Sequence, residues 1–94
     1  MILSYRDKRT RDFAGGKFVR AFQGFAQQAN KRLIILNAAT NLGDLRALPS
    51  NHFEGLKDDR AGQCSIRINE QWRVCFEWPK GDAGPSNVEI VDYH

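Results

Sequence analysis

The amino-acid sequence predicts an α+β fold in which an N-terminal strand and two helices pack on one face of a small antiparallel sheet of three to four strands. Three observations lead there. Phe18, Phe22, Phe25, Ala29, Leu33 and Leu36 recur every three or four positions, the period of one helical face. Beyond Asn51 the period changes to two, in the runs Cys64 to Asn69 and Trp72 to Trp78. The chain has 94 residues, enough for one domain over 1–94 with two layers around one core and too few for a second.

In chain order, Ile2-Leu3-Ser4-Tyr5 reads as a short opening strand. The charged stretch Arg6 to Arg11 begins a short helix that stops at Gly15-Gly16, a pair that punctuates rather than propagates a helix. From Phe18 the apolar stripe predicts a helix of about five turns, with Arg20, Gln23, Gln27, Gln28 and Lys31 on its wet side. Phenylalanines at this spacing are core rather than a ligand-binding box. The helix ends near Thr40-Asn41, and Gly43 and Pro49 reduce the segment through Asn51 to a connection with one turn at most. Residues 53–57 supply a further strand.

In the next run Cys64, Ile66 and Ile68 share one face, and Ser65, Arg67 and Asn69 the other. In the run after it Trp72, Val74, Phe76 and Trp78 face the core, and Arg73, Cys75 and Glu77 face away. The short linker between the two runs implies an antiparallel hairpin. Pro79 to Pro85 is a turn-rich loop, and Asn87 to Tyr93 returns as the closing strand.

Composition excludes several classes. With 41% hydrophobic and 27% charged residues the chain is a soluble globular protein rather than a wholly disordered one. No apolar run approaches the roughly 18–20 residues that span a bilayer, and Met1 to Tyr5 lacks the pattern of a signal peptide, so a cytoplasmic protein without membrane attachment is expected. Cys64 and Cys75 sit among strand residues as small hydrophobes rather than a disulfide. Two cysteines without clustered histidines do not make a metal site, so neither metal nor cofactor is expected. A net charge of +3 permits an anionic partner without requiring one.

Two groups of residues carry candidate chemistry. Asp92-Tyr93-His94 follows the apolar Val88, Ile90 and Val91, so the closing strand delivers an acid, a phenol and an imidazole together. Histidine is the side chain whose ordinary pKa already suits proton transfer near neutrality. Arg67 and Arg73 fall on the sheet face that the helices leave open, with Lys57 and Arg60 at the turn entering the sheet. A planar, permanently charged guanidinium suits a phosphate, because it forms two parallel hydrogen bonds and stabilises charge on non-bridging oxygens. The plainer reading is that these are solvated residues paired with Glu77 and Glu89.

The segment from Leu56 to Phe76 resembles the L-K-G-D-R-x-G-x-x-S-I-R-I-N-x-x-W-R-I-x-F stretch of the HigB-type toxins, also called proteic killer proteins, within the RelE-like group. Val88-Glu89-Ile90-Val91-Asp92-Tyr93-His94 is similar to that family's V-x-I-x-D-Y-H ending, and Leu45 to Asn51 to its L-R-x-P-P-S-N approach. The resemblance is strongest over residues 42–94. It implies a compact RelE-like fold and a ribosome-dependent mRNA endonuclease that needs no metal, neutralised by a HigA-like helix-turn-helix antitoxin through which alone it would meet DNA. Carried onto matching positions, it implies that Arg73 stabilises the reacting phosphate, that Asp92 and His94 handle protons, and that Tyr93 orients or stacks on a base. Lys57, Arg60 and Arg67 would hold the RNA backbone. Such chemistry needs a base, an acid and a cation but no protein nucleophile.

One position departs from the pattern. Where the family often carries histidine in H-P-L-K, three residues before the lysine, this chain has Glu54 before Lys57. A carboxylate raised by burial can act as a base, though a weaker one at neutral pH. His52, two residues away, would share Glu54's face if both lay in a strand. The expectation is a slow or conditional nuclease; the alternative is a non-catalytic RNA- or antitoxin-binding module of the same fold.

Overall fold

The second half of the chain is a four-stranded antiparallel meander, β1 (Glu54–Gly55), β2 (Gln63–Arg67), β3 (Trp72–Glu77) and β4 (Ser86–Asp92), in spatial order β1-β2-β3-β4. The computed structural model describes residues 1–92, so the expectations for Tyr93 and His94 lie outside the described residues. The β2–β3 turn is built around Asn69, whose side-chain oxygen accepts from the backbone N–H groups of Gln71 and Trp72, both at 2.8 Å. An asparagine that bonds the backbone two and three residues on makes its own turn. That turn sets the register in which Arg67 lies opposite Arg73.

Alternation holds as the sequence predicts. Ile66, Val74, Phe76, Val88 and Ile90 are fully buried under α1 (Lys8–Ala14) and α2 (Ala26–Ala38). Asp7 caps α1 by accepting from the N–H of Thr10, and Gly15 ends it. The apolar stripe is carried by two elements rather than one long helix. Arg20–Phe25 is a 3₁₀ helix, and Phe25, with φ −137° and ψ 25°, breaks the path into α2. A 3₁₀ turn aligns i with i+3, so Phe22 and Phe25 still point inward, where they meet Trp72 at ring-centroid distances of 5.8 and 4.7 Å. Phe18 precedes the first turn and is 75% exposed, against the expectation that it belongs to the stripe. The connection that follows holds more structure than predicted, with α3 (Leu42–Arg46) capped by Asn41 and a 3₁₀ turn at Pro49–Asn51.

The opening residues do not form a regular strand. Only Tyr5 bridges β4, in parallel, at Val88. Around it, Leu3 donates to the Pro85 carbonyl, Val88 to the Ser4 carbonyl and Arg6 to the Val88 carbonyl. The Met1 carbonyl comes so close to Gly84 that a Cβ there would sit 1.9 Å from it, which explains the glycine. Further along β4, the N–H of Ile90 donates to the buried Thr10 hydroxyl. The N-terminal segment thereby covers the outer edge of β4, the row of backbone groups that an unprotected edge strand would expose.

Candidate functional site

The strand register arranges the face away from the helices in rows. Glu54, Ser65, Cys75 and Glu89 are Cα partners across all four strands, and Arg67, Arg73 and Val91 form the next row. Arg67 and Arg73, both expected on this open face, are there a direct cross-strand pair. Like charges placed so are unfavourable unless each is drawn aside. The Nε of Arg67 donates to the Asn69 carbonyl at 3.2 Å, and its Nη2 lies 3.8 Å from the Glu70 carboxylate. The Nε of Arg73 donates to the Ser65 hydroxyl at 2.7 Å, and its Nη2 to the His52 carbonyl.

This face is not bare. Leu56, Cys75 and Val91 form a small buried cluster that floors it. Burial pushes the Cys75 thiol from an ordinary 9.0 to about 11; Arg60 and Arg73 pull it down, and Glu89 and Glu54 push it up. Cys75 is thus a packed, protonated thiol, as expected of a small hydrophobe. Arg60 reaches over the same floor, donating to Gln63 at 3.0 Å and standing 3.6 Å from Glu89 Oε2. Arg6 approaches that same carboxylate oxygen at 3.7 Å, and neither arginine closes to hydrogen-bond distance on this solvent-shielded atom. The plainer reading of paired charges holds for Arg60 with Glu89, although the carboxylate oxygen between them is shielded rather than solvated. It fails for Glu77, which accepts from Asn87 instead. Among the described residues, Arg73 differs from Arg60 and Arg67 in being held by neutral acceptors alone.

Glu54 and Lys57 line a shallow depression of about 370 Å³ with Gly55, Leu56 and Asp58. Glu54 is exposed in a two-residue edge strand, not buried. His52 is not in a strand. It ends the 3₁₀ turn in the left-handed region at φ 44°, so strand alternation does not place it with Glu54. Asp58, at φ 56°, is left-handed too. Non-glycine residues pay for such conformations in strain, and they concentrate where a site needs an unusual backbone direction. At His52 the result is a carbonyl turned onto Arg73.

Asp92 is the Cα partner of Trp72, one position beyond the pairing of Arg73 with Val91. Its carboxylate accepts from the Gln71 side chain at 2.9 Å. Alternation puts Asp92 on Trp72's side of the sheet, so it adjoins the arginine pair at the strand end without sharing its face. The structure therefore brings together Arg67, Arg73 and Arg60, flanks them with Glu54 and Lys57, and sets Asp92 at the rim.

Residue spacing did not single out Ser65 or the His52 carbonyl, the two groups that hold Arg73. Ser65 is fully buried, and its place diagonal to Arg73 follows once the hairpin register is known. The His52 carbonyl depends on Asn51, also fully buried, which accepts from Arg32 of α2 at 2.6 Å and donates to the Leu45 carbonyl at 3.0 Å. Among the described residues no group of three or more His, Cys, Asp or Glu side chains gathers as a metal site would require.

The chain is similar to known proteins in sequence and in fold. Toxin HigB-1 of Vibrio cholerae is 39% identical over 85 residues, covering 88% of this chain and 90% of that protein. Endoribonuclease HigB of Proteus vulgaris is 41% identical over 66 residues, covering 69% of this chain and 67% of that protein. In structure, the YoeB/ParE toxin from Agrobacterium tumefaciens superposes with a TM-score of 0.59 over 99% of this chain and 98% of that one; at 14% identity this shows a shared fold. The profile described as RelE-like toxin of type II toxin-antitoxin system HigB matches residues 3–94. On that match and those identities, this chain belongs to the HigB-like toxins, the RelE-like toxins of type II toxin-antitoxin systems.

Proposed function

We propose that this chain is an endoribonuclease that cuts mRNA on the ribosome, with Arg73 as the cation that meets the scissile phosphate. The observation that carries the reading is the state of Arg73: its guanidinium is fixed on the far face of the sheet by two neutral acceptors, so its charge stays uncompensated by any described carboxylate. The Proteus relative, whose name states the activity, supports the same class of reaction.

In the proposed reaction the ribose 2′-oxygen attacks the adjacent phosphorus and loses its proton to a base. The bond to the 5′-oxygen breaks, and that oxygen takes a proton from an acid. The products are a 2′,3′-cyclic phosphate and a 5′-hydroxyl. The nucleophile belongs to the RNA and the charge on the non-bridging oxygens is met by Arg73, so no metal is required. Asp92 and His94 handle the protons, with Glu54 as a weaker base, and Tyr93 orients a base. Lys57, Arg60 and Arg67 hold the backbone. Membership in a type II family implies an antitoxin as partner; we take it to be a HigA-like helix-turn-helix protein, and the setting to be the cytoplasm. No helix among the described residues is long and apolar enough to cross a membrane.

Exposed Glu54, at the position where histidine is common in the family, favours a second reading in which the chain occupies RNA or ribosome without turnover. Brief expression followed by mapping of mRNA 5′ ends separates the two. The nuclease reading expects new 5′-hydroxyl ends with the natural chain and none with Arg73→Ala or His94→Ala, while antitoxin binding persists. Growth inhibition undiminished by both changes, with no new ends, would leave occupancy as the function.

A further inference from the structure

We infer that Ser65 is a positioning residue for the cleavage reaction: its buried hydroxyl fixes the guanidinium of Arg73 so that one edge is left for the phosphate. The inference rests on the nuclease reading above and goes beyond it by naming what aims the cation.

Arginine carries five N–H donors on a planar fork. In Arg73 the Nε–H is taken by Ser65 Oγ at 2.7 Å, and one Nη2 proton by the His52 carbonyl. Among the described residues nothing else accepts from this side chain. Both Nη1 protons and one on Nη2 remain, and the Nη1–Nη2 end of the fork can present one proton from each nitrogen, the arrangement that meets two phosphate oxygens in parallel.

Ser65 is suited to this role by place as well as chemistry. It is the Cα partner of Cys75 in β3 and of Glu54 in β1, one row from the Arg67–Arg73 pair, so the contact to Arg73 runs diagonally across the hairpin. It is fully solvent-shielded, and a shielded hydroxyl is unfavourable without a hydrogen-bond partner. The serine and the arginine thus need one another. A carboxylate in Ser65's place would hold the arginine as firmly and cancel the charge that the phosphate has to meet. A neutral acceptor orients without neutralising. Without it, a side chain with several rotatable bonds would sample many directions before each encounter.

The test compares single-turnover cleavage of ribosome-bound mRNA by the full chain and by Ser65→Ala, Arg73→Ala and the double variant. A misplacement of about 1 Å in a positioned group can lower a rate roughly 100-fold. Ser65→Ala is accordingly expected to lose roughly 10- to 100-fold in rate, with the half-saturating ribosome concentration moving less than about twofold, and to lose nothing further in the Arg73→Ala background. In nitrogen-15 spectra of the natural chain, a distinct, slowly exchanging Arg73 Nε–H signal, identified by its loss in Arg73→Ala, is expected; it should vanish in Ser65→Ala. Wild-type cleavage by Ser65→Ala beside an impaired Arg73→Ala overturns the role of Ser65 alone. An equal loss on adding Ser65→Ala to Arg73→Ala also overturns it. Wild-type cleavage by Arg73→Ala instead removes the nuclease site itself. Should Ser65→Ala not fold, the natural chain decides: no protected Arg73 Nε–H signal means no clamp.

Discussion

On the helix-covered side of the sheet Ile66, Val74, Phe76 and Ile90 are fully buried among aromatic and aliphatic neighbours, whereas one residue along each strand the other side carries Ser65, Arg67, Arg73, Cys75 and Glu89. Both sides bury residues, yet they bury different things. The covered side removes apolar surface from water, the main favourable contribution to folding. The far side uses three apolar side chains, Leu56, Cys75 and Val91, as a floor, and spends the remaining positions on charges held in place. The contrast teaches that a short hairpin can separate stability from chemistry by parity alone, because adjacent residues point to opposite layers.

The sharpest way to break this comparison is to truncate one residue on each side. Phe76→Ala on the covered side is expected to cost about 3–5 kcal/mol of stability, read from denaturant unfolding, with antitoxin binding and toxicity lost together as the fold fails. Arg73→Ala on the far side is expected to lower cleavage about 100- to 1,000-fold while the thermal midpoint moves far less than for Phe76→Ala. If both variants unfold alike, the far face is structural and the division between the layers is wrong.

A subtler probe is alkaline pH. The folded chain keeps the Cys75 proton up to about 11, whereas an exposed thiol loses it near 9.0. The folded state then binds more protons than the unfolded one, so this contribution to stability is complete below the lower value and is lost as pH rises through the upper one. Cys75→Val should flatten that decline in a series of denaturation curves from about pH 8 upward, the informative window lying between 9.0 and about 11; an unchanged slope would show that the floor under the arginines is wet. The smallest effect is expected at Arg60, already opposed by Glu89. Arg60→Gln should weaken RNA binding by less than about 1 kcal/mol and reduce the salt dependence by at most about one counterion, measured by titration at two salt concentrations. A loss as large as that of Arg73→Ala would mean that Arg60 leaves Glu89 to serve the reaction.

Much of the scaffold was legible in the residues. The alternation in β2 and β3 predicted the inward and outward sets and the face that Arg67 and Arg73 share, while their direct pairing is set by the turn that the Asn69 side chain builds. The opening segment is no regular strand, because Ile2 to Tyr5 has strand-like composition but bonds β4 irregularly and, among the described residues, bridges it only at Tyr5. The expected long helix is likewise two elements. A stripe at steps of three and four is shared by 3₁₀ and α geometry, so periodicity could not show the break at Phe25 or exclude Phe18 from the core. At the site, the charged residues were visible by type and parity, but their holders were not.

The sequence by itself determined the two-layer plan, the parity that sends Arg67 and Arg73 away from the helices, and, through its second-half motifs, the toxin family. Those properties are set by local period and residue type, which need no knowledge of distant contacts. Only the tertiary structure decided that Arg60 is opposed by Glu89 while Arg73 is held by Ser65 and the His52 carbonyl. That distinction depends on where a left-handed residue turns its backbone and on which side chains approach across strands, and such distances arise only when remote segments are packed together.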